Sequence, residues 1–562
     1  MQALCSSTSK MESALDEYER ACNLLSTYPY SRPVPSSLRD MCHEVDEDWR
    51  KVVSFERRIN EMKSALGKIR NTICPLIYTL PSEILRYIFH FVIAFQSLDF
   101  DELVGNNKLP RNVLAVSQVC SQWRRISLES LGLWTHINLS VRKEFVPLGR
   151  LFVARSGNLP LSVRMVQRIE VKKTWETNKT DPFFRQIGPR LESIDLAVVM
   201  SLRPQDIVRA IKLSLAHCTP GRLTQLVISD RNIYVDEGRS NGYYDSATHW
   251  FIFHSDLHAS VVKGKQILSL NTGIDEQLLE DIFLHIKVLK LDRVYPHWTS
   301  KAYHGLTELR LIGPPRLSMV ITDKLFANIL AASPELRVLH FGLEMQLTGT
   351  ILSPIQLDYL EEFLLQSILN HTQQAVLRLI LPGTKSLLMS TTYRGDIRMP
   401  AQVEDELCRF FKRSNIVRLQ VHSDLLEIDL PNLLQLLPSL DTLIFRSVCL
   451  LRPPLSDCEM FTAPLCPRLR ELHLICVEIE LEALRWLVST HDLRRVVIWG
   501  SAISRVGGNE FIESNQGIPV GVCSFAEVLG TANYANTIKI KGWGEDIDDR
   551  MSTASLKDYA AD

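Results

Sequence analysis

Apolar residues along the chain follow three successive rhythms. From about Leu38 to Ile73, the residues Val52, Phe55, Ile59, Met62, Leu66, Ile69 and Ile73 alternate steps of three and four, the spacing of a coiled-coil seam on one long helix. Traced backward the seam reaches Val45 but fails at Asp48, so the strict register covers about three heptads. From Leu80 to Ile126 the pattern predicts two short amphipathic helices. Ile84, Leu85, Ile88, Phe89 and Val92 share a face of the first, and Val116, Val119, Cys120, Trp123 and Ile126 form a stripe on the second. Past Trp134 the texture changes to short strands and helices built on one repeated template, apolar-x-x-apolar-x-apolar.

The breaks between these segments are equally legible. Residues 10 to 25 read as a short helix, ended by the stretch Ser26 to Ser37, whose three prolines predict a stiff extended linker. Pro75 closes the long helix. Its seam has two readings, a dimerisation helix or a helix packed back on the module that follows, and the short register favours the second. Pro81 suits the opening of the next helix, where a missing N–H costs nothing, and Glu83 suits the positive end of its dipole. Two helices this short cannot bury all their apolar surface between themselves. Each large side chain left exposed forfeits roughly 1.5–3 kcal/mol, so they need a partner.

The template is filled by Leu191/Ile194/Leu196, Leu223/Leu226/Ile228, Ile286/Leu289/Leu291, Leu306/Leu309/Leu311, Leu336/Leu339/Phe341, Val376/Leu379/Leu381, Ile416/Leu419/Val421, Leu440/Leu443/Phe445, Leu469/Leu472/Leu474 and Leu493/Val496/Ile498. Pro189, Pro334, Pro438 and Pro467 each stand two residues before the first position of a copy. Each unit offers a strand that cannot be buried alone, so units stack around a shared core. Segments such as 323–330 and 481–488 read as helices between strands. The longest interval, from Leu223 to Ile286, holds the polar stretch Asp230 to Ser246 and reads as an insertion or a degenerate unit. The chain turns glycine-rich after Trp499, and the tail is polar.

The order L-P-x-E-I-L-x-x-I-F at Leu80 to Phe89, then V-C-x-x-W-R-x-I at Val119 to Ile126 and the pair Leu133-Trp134, resembles an F-box. That resemblance implies a small helical module that docks on the Skp-type adaptor of cullin-RING ubiquitin ligases. It marks Leu80, Pro81, Ile84, Leu85, Ile88, Val119, Cys120 and Trp123 as adaptor contacts or their direct support. The repeats resemble the leucine-rich repeats that often follow an F-box. They depart from that family in lacking its Asn or Cys three residues after the last strand leucine.

Composition narrows the function classes. A formal net charge of −1 gives no global pull toward nucleic acid or an anionic membrane, and protein partners are expected. The apolar run Phe89 to Phe95 is far too short to span a bilayer. The 12 cysteines include no C-x-x-C pair, and no basic stretch followed by an apolar run opens the chain. Both features predict free thiols in a reducing compartment, the cytoplasm or nucleus, with the sequons at Asn138, Asn178 and Asn370 unused.

Candidate chemistry is sparse. His254 and His258 have the i, i+4 spacing of a zinc pair on a helix, without the glutamate of a metalloprotease or a third ligand. The string Gly238 to Gly242 matches G-x-S-x-G around Ser240, yet sits in a polar stretch where a nucleophile elbow needs strand before and helix after. Cys458 and Cys466 lie too far apart for a zinc knuckle, no phosphate-binding glycine loop occurs, and the acidic run 545–549 lacks the spacing of a calcium loop. We expect no cofactor and no catalytic set.

The sequence therefore predicts an α/β protein: an N-terminal segment (1–37), a long helix (38–75), an F-box (76–139), an irregular leucine-rich-repeat solenoid (140–541) and a polar tail (542–562). Side chains between the inward positions, Asp195, Lys290, Arg310, His340, Gln420 and His473, with Trp499 beyond the last strand, are expected on the concave face as a surface for a protein target. The function this implies is substrate receptor, a non-enzyme that supplies proximity and orientation while other subunits transfer ubiquitin. The alternatives are a repeat scaffold without ubiquitin transfer and, from another class, a hydrolase using His254 and His258 with a metal, or Ser240.

Overall fold

The computed structural model describes residues 2–26, 37–73, 77, 80–95, 112–140, 145–167, 177–198, 204–230, 249–252, 261–262, 265–313, 320–366, 369–393, 400–423, 427–450, 464–499, 502–504 and 538–540. The 27–36 linker, the 96–111 gap, Ser240, His254, His258 and the acidic tail lie outside them. The chain divides into two compact units, one of Met1–Ile88 with Ser117–Ile126 and one of Phe89–Val116 with Ser127–Asp562.

The first unit is helical. Helices α1 (Gln2–Ser26) and α2 (Ser37–Ile73) precede α3 (Ser82–Phe95), α4 (Asn112–Val119) and α5 (Ser121–Glu129), the last three crossing the division between units. The seam of α2 remains open: Phe55, Met62, Leu66 and Ile69 are exposed, with Val52 and Ile59 half-buried. This corrects the expectation that α2 buries its seam on the following module.

The stripe from Val116 to Ile126 is likewise not one helix but two, broken at Cys120. The physical cause is a cap. The Trp123 N–H donates to Cys120 Sγ at 3.4 Å while the Arg124 N–H bonds the Cys120 carbonyl at 2.9 Å, so the thiol does for α5 what a hydroxyl usually does at a helix start.

The second unit is organised by one parallel sheet of 14 strands taken in chain order. These are β1 (His136–Ser140), β2 (Leu161–Gln167), β3 (Leu191–Val198), β4 (Gln225–Asp230), β5 (Val288–Asp292), β6 (Glu308–Ile312), β7 (Val338–Gly342), β8 (Glu362–Leu365), β9 (Leu387–Tyr393), β10 (Ile416–Ser423), β11 (Thr442–Arg446), β12 (Glu471–Ile475), β13 (Arg495–Trp499) and β14 (Ile538–Ile540). The second template position forms an unbroken row across the sheet, from Ile137, Val163, Ile194 and Leu226 through Leu289, Leu309 and Leu339 to Leu443, Leu472 and Val496. These side chains are buried, as are those two residues on, because alternate strand residues point to one face. Intervening helices close the core. Phe326 on helix Asp323–Ala331 meets Phe341 with ring centroids 4.6 Å apart, and Phe410 on helix Ala401–Lys412 meets Phe363 at 5.6 Å.

One predicted copy is wrong and several are missed. Val376 and Leu379 lie on helix Asn370–Leu379, not in the main sheet, because a three-residue step is also one face of a helix and Thr372, Val376 and Leu379 are buried together there. The strand for that interval is β8, where Leu360/Phe363/Leu365 fits the same template, and Trp134/Ile137/Leu139 fits it at β1. The Leu223–Ile286 interval does hold an insertion: β4 pairs directly with β5, and the residues between contribute strands His249–Ile252 and Lys265–Leu270 to a separate small sheet.

Where leucine-rich repeats carry their Asn or Cys, three residues past the last strand leucine, this chain places Val294, Val448 and Val477, all buried. The preceding residues Arg293, Ser447 and Cys476 take φ of 63°, 53° and 52°. The chain therefore turns off these strands through a left-handed residue and an apolar anchor instead of an amide ladder.

Candidate functional site

Two groups of side chains qualify, one on helices α3 to α5 and one on the main sheet. On the first, α3 begins at Ser82, and the Pro81 carbonyl accepts the first helical hydrogen bond from Leu85 N–H at 3.1 Å, which puts Pro81 at the cap. Glu83 follows in the first turn. A hydrogen bond from its own backbone N–H and one from the Ser82 hydroxyl, at 3.1 Å, hold its carboxyl below the usual range, so it stays ionised at the positive end of the helix.

The helix then carries two apolar faces. Leu85 is 0% exposed and Phe89 is buried with it, so Leu85 supports the surface from below. Ile84 is 44% exposed, Tyr87 66% and Phe91 67%, an open stripe at steps of three and four. Tyr87 and Phe91 are absent from the set derived from sequence. Their spacing from Ile84 is the signal that could have revealed them, obscured because α3 is apolar on both sides. Pro81 is exposed, while Leu80 and Ile88 are half-buried.

Across the α4–α5 break, Val119 is 55% exposed, and Cys120 and Trp123 are half-buried. The Arg124 Nε–H donates to the Ser117 carbonyl at 3.1 Å, bracing the break from the other side. Cys120 therefore has a structural role as a cap, and Val119 is the residue it leaves facing water.

Downstream, Trp134 belongs to the start of the repeats. Its Nε1–H donates to the Ser127 carbonyl at 2.7 Å, its ring meets Phe152 edge-on at 5.1 Å, and Arg155 lies 4.4 Å over its face.

On the second unit, the register brings Lys290, Arg310 and His340 to the same height on the adjacent strands β5, β6 and β7. They form a connected charge network. Lys290 Nζ lies 2.9 Å from Glu308 Oε1, Arg310 Nε 2.5 Å from the same oxygen, and His340 Nε2 2.6 Å from Glu362 Oε1. Burial pushes the Glu308 and Glu362 carboxyls up, but Lys290 and Arg310 outweigh it for Glu308, and His340 and Arg310 for Glu362, leaving both below their ordinary values. Burial holds His340 down against the pull of Glu362, so the pair is neutral imidazole on carboxylate.

Asp195 is paired with Arg164 at 3.2 Å. Gln420 and His473 lie farther along the same row of the sheet, with His473 Nε2 3.3 Å from Glu471 Oε2. Trp499 is the last residue of β13 and pairs with Ile475, instead of lying beyond the strand. Sequence reasoning missed the carboxylates Glu308, two residues before Arg310, and Glu362, which the register sets opposite Val338 on the strand next to His340. No group of acidic, histidine or cysteine residues suited to a metal ion occurs among the described residues.

Residues 77–140 match the family described as F-box-like, a span that runs through α3, α4 and α5 into β1. No curated protein matches the chain. A solved structure described as the Rad7 and Elc1 complex in yeast is similar over 84% of this chain and 99% of its own, at 11% identity and a TM-score of 0.33.

Proposed function

We propose that this protein is the substrate-recognition subunit of a cullin-RING ubiquitin ligase, acting in the cytoplasm or nucleus. Its F-box docks a Skp-type adaptor, and its repeat sheet holds a protein target. The observation that carries the reading is the F-box-like match over residues 77–140, whose helices leave Ile84, Tyr87 and Val119 open to solvent. Apolar side chains at helical spacing above a buried Leu85 suit a protein interface, whose affinity concentrates in a few desolvated anchors. In this reading the chain makes and breaks no bond. It raises the target's effective concentration near the transferring subunits and fixes its orientation.

The test is recovery of a Skp-type adaptor with the full chain. Ile84→Asp and Val119→Asp change exposed positions and leave the buried face intact. Loss of a central anchor costs at least about 2 kcal/mol, so either variant should weaken capture by roughly thirtyfold or more. Equal recovery of variant and wild type would sink the F-box assignment. Adaptor capture without cullin recruitment, or without ubiquitylation of a bound protein, would favour a scaffold instead.

A further inference from the structure

Both helices that precede Pro81 carry an uncovered apolar seam. On α2 the seam positions Phe55, Met62, Leu66 and Ile69 are exposed, with Val52 and Ile59 half-buried. On α1, Met11, Leu15, Tyr18 and Cys22 recur at steps of four, three and four, and all of them are exposed. In heptad positions, Val52, Ile59 and Leu66 of α2 stand at a and Phe55, Met62 and Ile69 at d, while α1 has Leu15 and Cys22 at a and Met11 and Tyr18 at d. The flanks differ in charge. The seam of α1 is bordered by Glu12 and Glu19 at e and by Ala14 and Ala21 at g, and that of α2 by Lys51 and Arg58 at g and by Glu56 and Lys63 at e. Lys51 Nζ lies 3.0 Å from Asp48 Oδ1 and 3.6 Å from Glu47 Oε1, exposed contacts within one helix that contribute little and are readily exchanged.

We propose that two copies of this chain associate reciprocally, the α1 seam of each lying parallel on the α2 seam of the other. One register aligns seam with seam: Met11 with Phe55, Leu15 with Ile59, Tyr18 with Met62 and Cys22 with Leu66. The 25 residues of α1 then lie alongside residues 46–70 of α2 and cover its seam through Ile69. In parallel helices a g residue faces the e residue of the partner's next heptad, so this register sets Lys51 against Glu12 and Arg58 against Glu19, with no like charges opposed at these positions. A parallel pair of α2 helices would instead oppose Arg58 to Lys63, and Asp48 to itself within the seam. The partner helix has to come from a second copy. Within one copy this register would put Ser26 beside residue 70, about 50 Å along α2 from Ser37, whereas the chain from Ser26 to Ser37 extends at most about 40 Å. Each copy gives one α1 and receives another, so the exchange closes as a dimer.

The test is sedimentation velocity of the full chain over a range of concentrations, and it is independent of the adaptor. Wild type should reach twice the mass of one chain. Glu12→Lys with Glu19→Lys, and separately Lys51→Glu with Arg58→Glu, oppose like charges across both contacts, and each pair of changes should weaken self-association by about tenfold. An equimolar mixture of these two variants should restore wild-type association, because the reversed α1 of one meets the reversed α2 of the other and the second contact is unaltered. Circular dichroism verifies that each variant is folded. Leu15→Asp, at an exposed seam position, should weaken self-association by about the same factor and carries the test if a charge variant is not folded. A monomeric wild type, self-association unchanged by Glu12→Lys with Glu19→Lys or by Leu15→Asp, or a mixture no tighter than its components would overturn the proposal. The last result would mark α1 as packing on α2 of its own chain. Adaptor recovery by Leu15→Asp should equal wild type, so failure here leaves the F-box reading standing, and the reverse holds.

Discussion

Glu362 and His340 should stabilise the sheet as a coupled pair, and removing either alone should cost more than its share. Both are buried, their contact is 2.6 Å, and Glu362 Oε2 is buried with no hydrogen-bond partner among the described residues. Replacing His340 with leucine leaves that carboxylate, among the described residues, with only Arg310, at 4.0 Å, for compensation. An orphaned charged group of this kind costs on the order of 2–3 kcal/mol. Glu362→Leu instead strands the His340 ring N–H, at about 1–3 kcal/mol. In the double variant neither orphan exists, so its destabilisation should fall short of the sum by about 1.5–3 kcal/mol. The assay is urea unfolding of wild type, both single variants and the double variant at pH 7.5, followed by tryptophan fluorescence. Additivity within about 0.5 kcal/mol would refute the coupling. The same pair sets a pH dependence. His340 is depressed below 6.5 in the folded chain, so the unfolded chain takes the proton first. Its contribution is complete above 6.5 and is lost as pH falls from there toward the folded value. Wild type should therefore lose stability between pH 7 and 5 more steeply than His340→Leu. Glu308 and Glu362, depressed below 4.5, add a further loss only at lower pH.

Two further outcomes test local readings. Gly188→Ala would press a Cβ against the His217 carbonyl oxygen and set it 2.6 Å from the carbonyl carbon, backbone atoms that cannot swing aside, so destabilisation of about 3 kcal/mol is expected from thermal unfolding. Cys120→Ala removes the cap of α5 and should cost about 1 kcal/mol in the same measurement, whereas Cys120→Ser keeps an acceptor and should be close to neutral; equal costs would remove the cap as the reason for that residue.

Much of the fold was written in local pattern. A step of three and then two between apolar residues selects a short strand, and repetition forces stacking, so the parallel repeat sheet follows from residues such as Leu289, Leu309 and Leu339 without knowing their neighbours. The F-box resemblance was equally local, resting on the identities and order of Pro81, Cys120 and Trp123. Other features depended on contacts distant in sequence. Val376 and Leu379 satisfied the strand template yet joined helix Asn370–Leu379, because the place in the sheet for that interval was taken by Glu362–Leu365, which pairs with β7 and β9. Which face of α3 is open, Ile84 with Tyr87 or Leu85 with Phe89, could not be read from a helix apolar on both sides. Sequence placed Lys290, Arg310 and His340 on one face, since strand alternation alone does that. Only parallel register set Glu308 and Glu362 against them, neutralising that part of the face. Periodicity is a property of neighbours along the chain and survives in the sequence, whereas the balance of charge is a sum over strands that meet only when the chain has folded.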